Sequence, residues 1–312
     1  MSKPSHFGVT LPQIKRSWPQ AREAALEFDA LGFDSVWVCD HLYGVPFPTL
    51  PIFEGWTELA AVAAITSKVE LGTLVTPPFF RAPAMLARQI ATIDHVSNGR
   101  TIAGLGAGWF DAEFRDNGLP FPEVRERLRA LEETIEILKS LWTNETTDFA
   151  GRHYTLTGAR LEPKPIRRPP ILIGGGGEKV LLRIAARHAD IWNNLAVTQT
   201  ELPHKIEVLR RHCDSVGRDF DEITISQQCV VVLAPDEAAA ETALAKAEKI
   251  YGGHMGGALR EHGIWGTPAQ VIDAIGRYRD LGCTSLVMEF FGKDTREPAR
   301  LFAERVLPAF RT

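Results

Sequence analysis

Short β-rich runs alternate with helical patterns from one end of the chain to the other. The runs are Phe7–Leu11, Ser35–Cys39, Val69–Val75, Thr101–Leu105, Ile171–Ile173, Asp190–Asn193, Ile223–Leu233 and Ser285–Glu289. A strand followed by a helix and then another strand builds parallel pairing, because the chain must cross back before it can pair again. Eight such units with no break in composition predict an α/β fold, a single (β/α)8 TIM barrel spanning residues 1–312.

The helical segments carry their own punctuation. From about Pro122 to Trp142, the residues Val124, Leu128, Leu131, Ile135, Leu138 and Leu141 recur at threes and fours, opposite a charged face of Glu126, Arg129, Glu132, Glu133 and Lys139. Thr267-Pro268-Ala269-Gln270 reads as a capping box with proline in the first turn. Leu31-Gly32-Phe33-Asp34-Ser35-Val36 and Leu281-Gly282-Cys283-Thr284-Ser285-Leu286 are near copies. In each, the glycine suits a left-handed helix end with a strand close behind.

Two stretches depart from the pattern. Between Thr146 and Pro170 the prolines at 163, 165, 169 and 170 preclude a long helix. Asp148 to Tyr154 suggests a small hairpin turning at Gly151, an insertion between the fourth helix and the fifth strand. Tyr251 to Gly266 is glycine-rich, holds His254, His262 and Trp265, and reads as a functional loop.

Composition excludes several classes. With 35 Lys+Arg against 39 Asp+Glu the net charge is −4, so there is no chain-wide basic footprint for nucleic acid. Apolar stretches are interrupted well before 18 residues, which argues against a membrane helix. Met1 to His6 is polar and the run after it is too short for a secretory signal. Cys39, Cys213, Cys229 and Cys283 are scattered, as expected in a reducing compartment, so a cytoplasmic location is expected. The nine histidines show no HExxH or paired ligand spacing, and no metal site is expected.

Barrel active sites lie at the C-terminal ends of the strands, which turns the strand list into a list of candidates. Gly174-Gly175-Gly176-Gly177-Glu178 follows an apolar strand and precedes a helix expected over Glu178 to Ala189. Close backbone approach and unpaired first-turn amides make that turn a phosphate cradle. Asp40-His41 ends the second strand, where an imidazole could exchange a proton with a ligand; a partly buried structural histidine is the competing reading. Cys39 reads as packing, and His188 as a contact between helices. Gly104-Leu105-Gly106-Ala107-Gly108 is not a dinucleotide fingerprint, because Trp109-Phe110-Asp111 follows in place of the required helix. These glycines either let a flat ring lie on backbone, with Trp109 at its edge, or serve tight packing at the barrel mouth.

Taken in order, these segments resemble the luciferase-like monooxygenase superfamily, and within it the coenzyme F420-dependent oxidoreductases. The resemblance rests on Phe7 to Gln13, Leu31 to His41, Leu71 to Thr76 with Arg81-Ala82-Pro83, and Ser97-Asn98-Gly99-Arg100. It continues through Gly104 to Trp109, Pro170 to Lys179 and Gly266 to Val271. It implies a ring-binding barrel mouth with a bulge near Leu74-Val75-Thr76, often with a non-prolyl cis peptide, and with Gly106, Ala107 and Gly108 alongside. It also implies a cofactor phosphate on Gly174, Gly175, Gly176, Gly177 and Glu178, and Asp40-His41 at the reactive edge.

Relatives that oxidise phosphorylated sugars carry a glutamate where this chain has Trp109, which favours a more apolar substrate such as an enone, an imine or another carbonyl compound. The activity implied is hydride transfer with coenzyme F420, with His41, Asp40 and Trp109 as candidate catalytic residues and a homodimer as the expected assembly. The alternatives are an FMN-dependent monooxygenase using reduced flavin and oxygen, and a non-catalytic flavin-binding barrel. Outside the family stands a phosphosugar enzyme using the glycine turn for its substrate.

Overall fold

The computed structural model describes residues 5–45, 48–251 and 259–311. Among the described residues eleven strands are formed: β1 His6–Thr10, β2 Ser35–Val38, β3 Glu70–Thr73, β4 Thr101–Gly106, β5 Thr147–Ala150, β6 Thr155–Ala159, β7 Ile171–Gly174, β8 Ile191–Asn194, β9 Thr224–Leu233, β10 Ile264–Gly266 and β11 Cys283–Phe290. The order β9-β11-β1-β2-β3-β4-β7-β8 closes through pairing of β8 with β9, every pair parallel. This is the eight-stranded barrel expected from the alternation, strand for strand.

Helices α1 Trp18–Leu31, α2 Gly55–Ala63, α3 Pro83–Ser97, α4 Asp111–Asp116 and α5 Val124–Thr143 serve the first half. In the second half come α6 Leu181–His188, α7 Leu202–Val216, α8 Glu237–Tyr251, α9 Leu259–His262, α10 Pro268–Asp280 and α11 Arg296–Arg305. Their apolar stripes close the core around the barrel; on α5 the buried residues include Leu131, Ile135, Leu138 and Leu141. The two Leu-Gly turns behave alike, with Gly32 at φ 84° and Gly282 at φ 85°. The Thr267 amide donates to the Gln270 side chain, completing the capping box.

The barrel's interior is plugged. Trp37, Ile102, Leu172 and Val287 form a buried cluster inside it, and Trp37 donates through Nε1 to Ser35 Oγ at 2.7 Å. Neighbouring strands make room for that indole, since a side chain at Gly8 or Gly72 would meet Trp37 atoms at 2.4 and 2.5 Å.

Three details refine the expectations. Strands β5 and β6 pair antiparallel, and the Gly151 amide donates to the Tyr154 carbonyl across their turn. The helix after the glycine turn starts at Leu181, not Glu178, because residues 178–180 form a turn first. In the glycine-rich loop, His254 lies outside the described residues; His262 ends α9, and Trp265 lies in β10, which adds to the edge of β9.

Candidate active site

The C-terminal mouth of the barrel gathers most of the candidates, but it divides Asp40 from its neighbour. Asp40 is 1% exposed, and its carboxylate takes a bidentate pair from Arg81 at 2.6 and 2.9 Å and the Thr76 hydroxyl at 2.7 Å. Thr76 in turn accepts from Trp56 Nε1 at 2.8 Å, and Arg81 also pairs with Glu54. Burial pushes the Asp40 carboxyl up from its ordinary value, against the pull of the guanidinium. Asp40 is thereby committed to tying β2, α2 and the strand 3 loop together.

His41 turns the other way. Its Nδ1 lies 3.0 Å from both carboxylate oxygens of Glu113 on α4, and the Leu42 amide donates to the same carboxylate. Glu113 is 1% exposed. A carboxylate only accepts, so Nδ1 carries the proton, and Nε2 on the opposite edge of the ring has no partner among the described residues. Trp109 stands edge-on to this imidazole with centroids 6.0 Å apart and is 55% exposed.

Leu74 and Val75 are joined by a cis peptide, as the resemblance implied, and both are half-buried at the top of the plug. The glycines of β4 answer to this bulge. A side chain at Gly104 would strike the Thr73 carbonyl at 1.7 Å, and one at Gly106 would meet Val75 at 2.4 Å. A side chain at Gly108 would meet Pro77 and Phe114. The space beside these glycines goes to the bulge and its surroundings, which supports the reading of tight packing at the mouth.

On the far side, Gly174 to Gly177 form the turn above β7. Gly175 has φ 137°, a conformation side chains resist, and its amide donates to the Asn193 carbonyl. The amides of Gly176 and Gly177 have no acceptor among the described residues. Beside them lies a cation that sequence reasoning missed. Lys205 on α7 is 3% exposed and reaches the Gly176 carbonyl at 2.8 Å, with Glu201 at 2.8 Å and Glu178 at 3.5 Å. Glu178, expected at the cradle, is held by His204 and Lys205, which keep its carboxyl below the ordinary range. Two free amides, a backbone that admits close approach and an adjacent ammonium fit a phosphate.

The missed residues share a cause. Glu113, Arg81 and Lys205 lie 72, 41 and 29 positions from the groups they serve, and a charged residue on a helix or in a loop ordinarily reads as solvated surface. Burial pushes the Cys39 thiol up from its ordinary value, in keeping with a packing role. His188 bridges helices, meeting Glu132 and Lys139 of α5. Glu132, Glu136 and His188 could together ligate a metal, but Arg187 already pairs with Glu132.

Residues 2–285 match the family model described as luciferase-like monooxygenase. A protein named F420-dependent glucose-6-phosphate dehydrogenase from Microbacterium testaceum (strain StLB037) is 29% identical, over 100% of this chain and 99% of its own length. One of the same name from Amycolatopsis mediterranei (strain U-32) is 36% identical over 54% of this chain, an alignment spanning only half of that relative. Among solved structures, one titled "F420-dependent secondary alcohol dehydrogenase in complex with an F420-acetone adduct" superposes with a TM-score of 0.87 at 22% identity. It covers 99% of this chain and 100% of that one, a likeness of fold. Among the described residues, no helix is long and apolar enough to cross a membrane.

Proposed function

The chain belongs to the luciferase-like monooxygenase family, and from that premise we propose that it is an F420-dependent oxidoreductase acting on a small organic substrate. The observation that carries this reading is the arrangement of the mouth. An anion cradle follows β7 and an oriented imidazole follows β2 at the same C-terminal end of the barrel, with the apolar Leu74 and Val75 after β3 between them in strand order.

Gly176, Gly177 and Lys205 would hold the cofactor phosphate, and the Leu74–Val75 bulge would back its ring. When bound, coenzyme F420 supplies a two-electron hydride couple. Reduction of a carbonyl adds a hydride at carbon and a proton at oxygen; oxidation of an alcohol removes both. His41 Nε2 is the atom that gives or takes the proton, and Glu113 holds the ring so that this nitrogen faces the mouth. Asp40 serves as a positioning residue, while Trp109 forms an apolar wall suited to an enone, an imine or another carbonyl compound. The reading places the enzyme in the cytoplasm as a homodimer, with no nucleic acid partner.

The test is parallel fluorescence titration of purified protein with F420 and FMN, followed by reduction of 2-cyclohexen-1-one with reduced F420. Preference for F420 by about tenfold, or roughly 1.4 kcal/mol, with turnover supports the reading. Preference for FMN with oxygen consumption makes the protein a monooxygenase, and cofactor binding without turnover on any electrophile makes it a carrier. Turnover of glucose 6-phosphate instead of the enone would replace the substrate class.

A further inference from the structure

One ionisable group at the mouth has no part in the mechanism above. Glu289 is the penultimate residue of β11, two positions after Val287, which packs inside the barrel against Trp37. Alternation along a strand puts Glu289 on the same inward side, one layer higher. Register pairs Met288 with Val9 and Thr10 with Trp37, so Glu289 stands opposite Thr10, in line with Trp37 and two residues beyond Val287 toward the C-terminal mouth. Its charge reaches Cys39, the residue that leads β2 into His41.

The carboxyl is held at one oxygen only. Tyr251, the last residue of α8, donates its hydroxyl to Glu289 Oε1 at 2.7 Å, while Oε2 has no partner among the described residues. Tyr251 is itself seated against Phe291, with ring centroids 6.0 Å apart. Glu289 keeps some accessible surface, so its second oxygen is deep but not sealed.

Resting on the F420 reading for the identity of the mouth, we propose that Glu289, oriented by Tyr251, is a substrate-binding residue that hydrogen-bonds a hydroxyl on the substrate a few bonds from the reacting carbon. Strands β11 and β2 both flank β1, two strand steps of about 4.8 Å each, so Glu289 and the segment that leads β2 into His41 rise on the same side of the barrel. The strands opposite, β4, β7 and β8, carry the packed glycines and the cradle. The substrate class is therefore a hydroxylated cyclic carbonyl or its alcohol. Burial pushes the Glu289 carboxyl up and the Tyr251 phenol up with it, as expected for a polar pair set into an apolar mouth.

Binding of 4-hydroxycyclohexanone and cyclohexanone, measured by ligand-observed NMR on the full chain, tests this without turnover. The hydroxylated ring should bind about tenfold more tightly, the worth of one hydrogen bond to an ionisable group. Glu289→Leu should abolish that preference, Glu289→Gln should retain most of it, and Tyr251→Phe should lower it severalfold. Equal affinity for the two rings, binding of neither, or an intact preference in Glu289→Leu overturns the proposal. F420 titration of the same samples separates the two claims. A lost preference with intact F420 affinity in the wild type sinks only the Glu289 assignment, whereas an intact preference without F420 binding supports it and sinks only the cofactor reading.

Discussion

His41 Nδ1 sits 3.0 Å from each carboxylate oxygen of Glu113, a residue 72 positions away that is almost wholly buried. This symmetric contact leaves the imidazole one tautomer and one orientation, with Nε2 as the edge that has no partner among the described residues. His41→Ala should lower turnover at least tenfold while F420 affinity stays within about twofold. Glu113→Gln should keep the ring in place yet let it flip tautomer, so that kcat falls with little change in KM. Normal kcat in both variants would remove His41 from the chemistry.

Asp40 and Arg81 form a pair almost closed to solvent, braced by Thr76 and Glu54. Arg81→Met strands a buried carboxylate and should cost about 3 kcal/mol or more in urea unfolding. The double variant Asp40→Asn with Arg81→Met should cost clearly less than the sum of the two single changes, since no charge is then left alone. Strict additivity would mean that the pair does not couple.

Gly175 holds φ 137°, and an added side chain would meet Leu181 at 2.8 Å. Gly175→Ala should cost roughly 1–3 kcal/mol of stability and weaken F420 binding together, because the same turn shapes the cradle. Gly217, a helix end with nothing within 4 Å, is the control: Gly217→Asn should leave F420 affinity unchanged.

Asp29 on α1 ties down the loop before β3 by accepting from the amides of Ser67, Lys68 and Val69. Burial alone would raise its carboxyl, but those bonds to the charged form prevail and hold it below the ordinary value of 3.8. A carboxyl lower in the folded than in the unfolded state contributes stability above the unfolded value, and that contribution is lost as pH falls through the folded one. Asp29→Asn should therefore be less stable than wild type at pH 7, with the gap closing below about pH 4 in thermal unfolding. A gap that persists unchanged at pH 2 would assign Asp29 a packing role only.

Much of this protein could be read from its residues in order. Strand positions, the two Leu-Gly turns and the capping box at Thr267 are local matters, written in spacing and in residue type, whereas the bulge at Leu74-Val75 is expected from the family resemblance. Closure of eight parallel strands follows from their alternation with helices, and the mouth from the direction in which they run. What tertiary structure alone decided is who meets whom at that mouth. Asp40 and His41 are neighbours in sequence, but successive side chains at a strand end diverge, one to Arg81 and the other to Glu113. Lys205 and Glu289 gain their positions from helix docking and from register across β1, which no local pattern records. A charged side chain in a linear sequence looks the same whether water or a partner solvates it, and only the folded chain distinguishes the two.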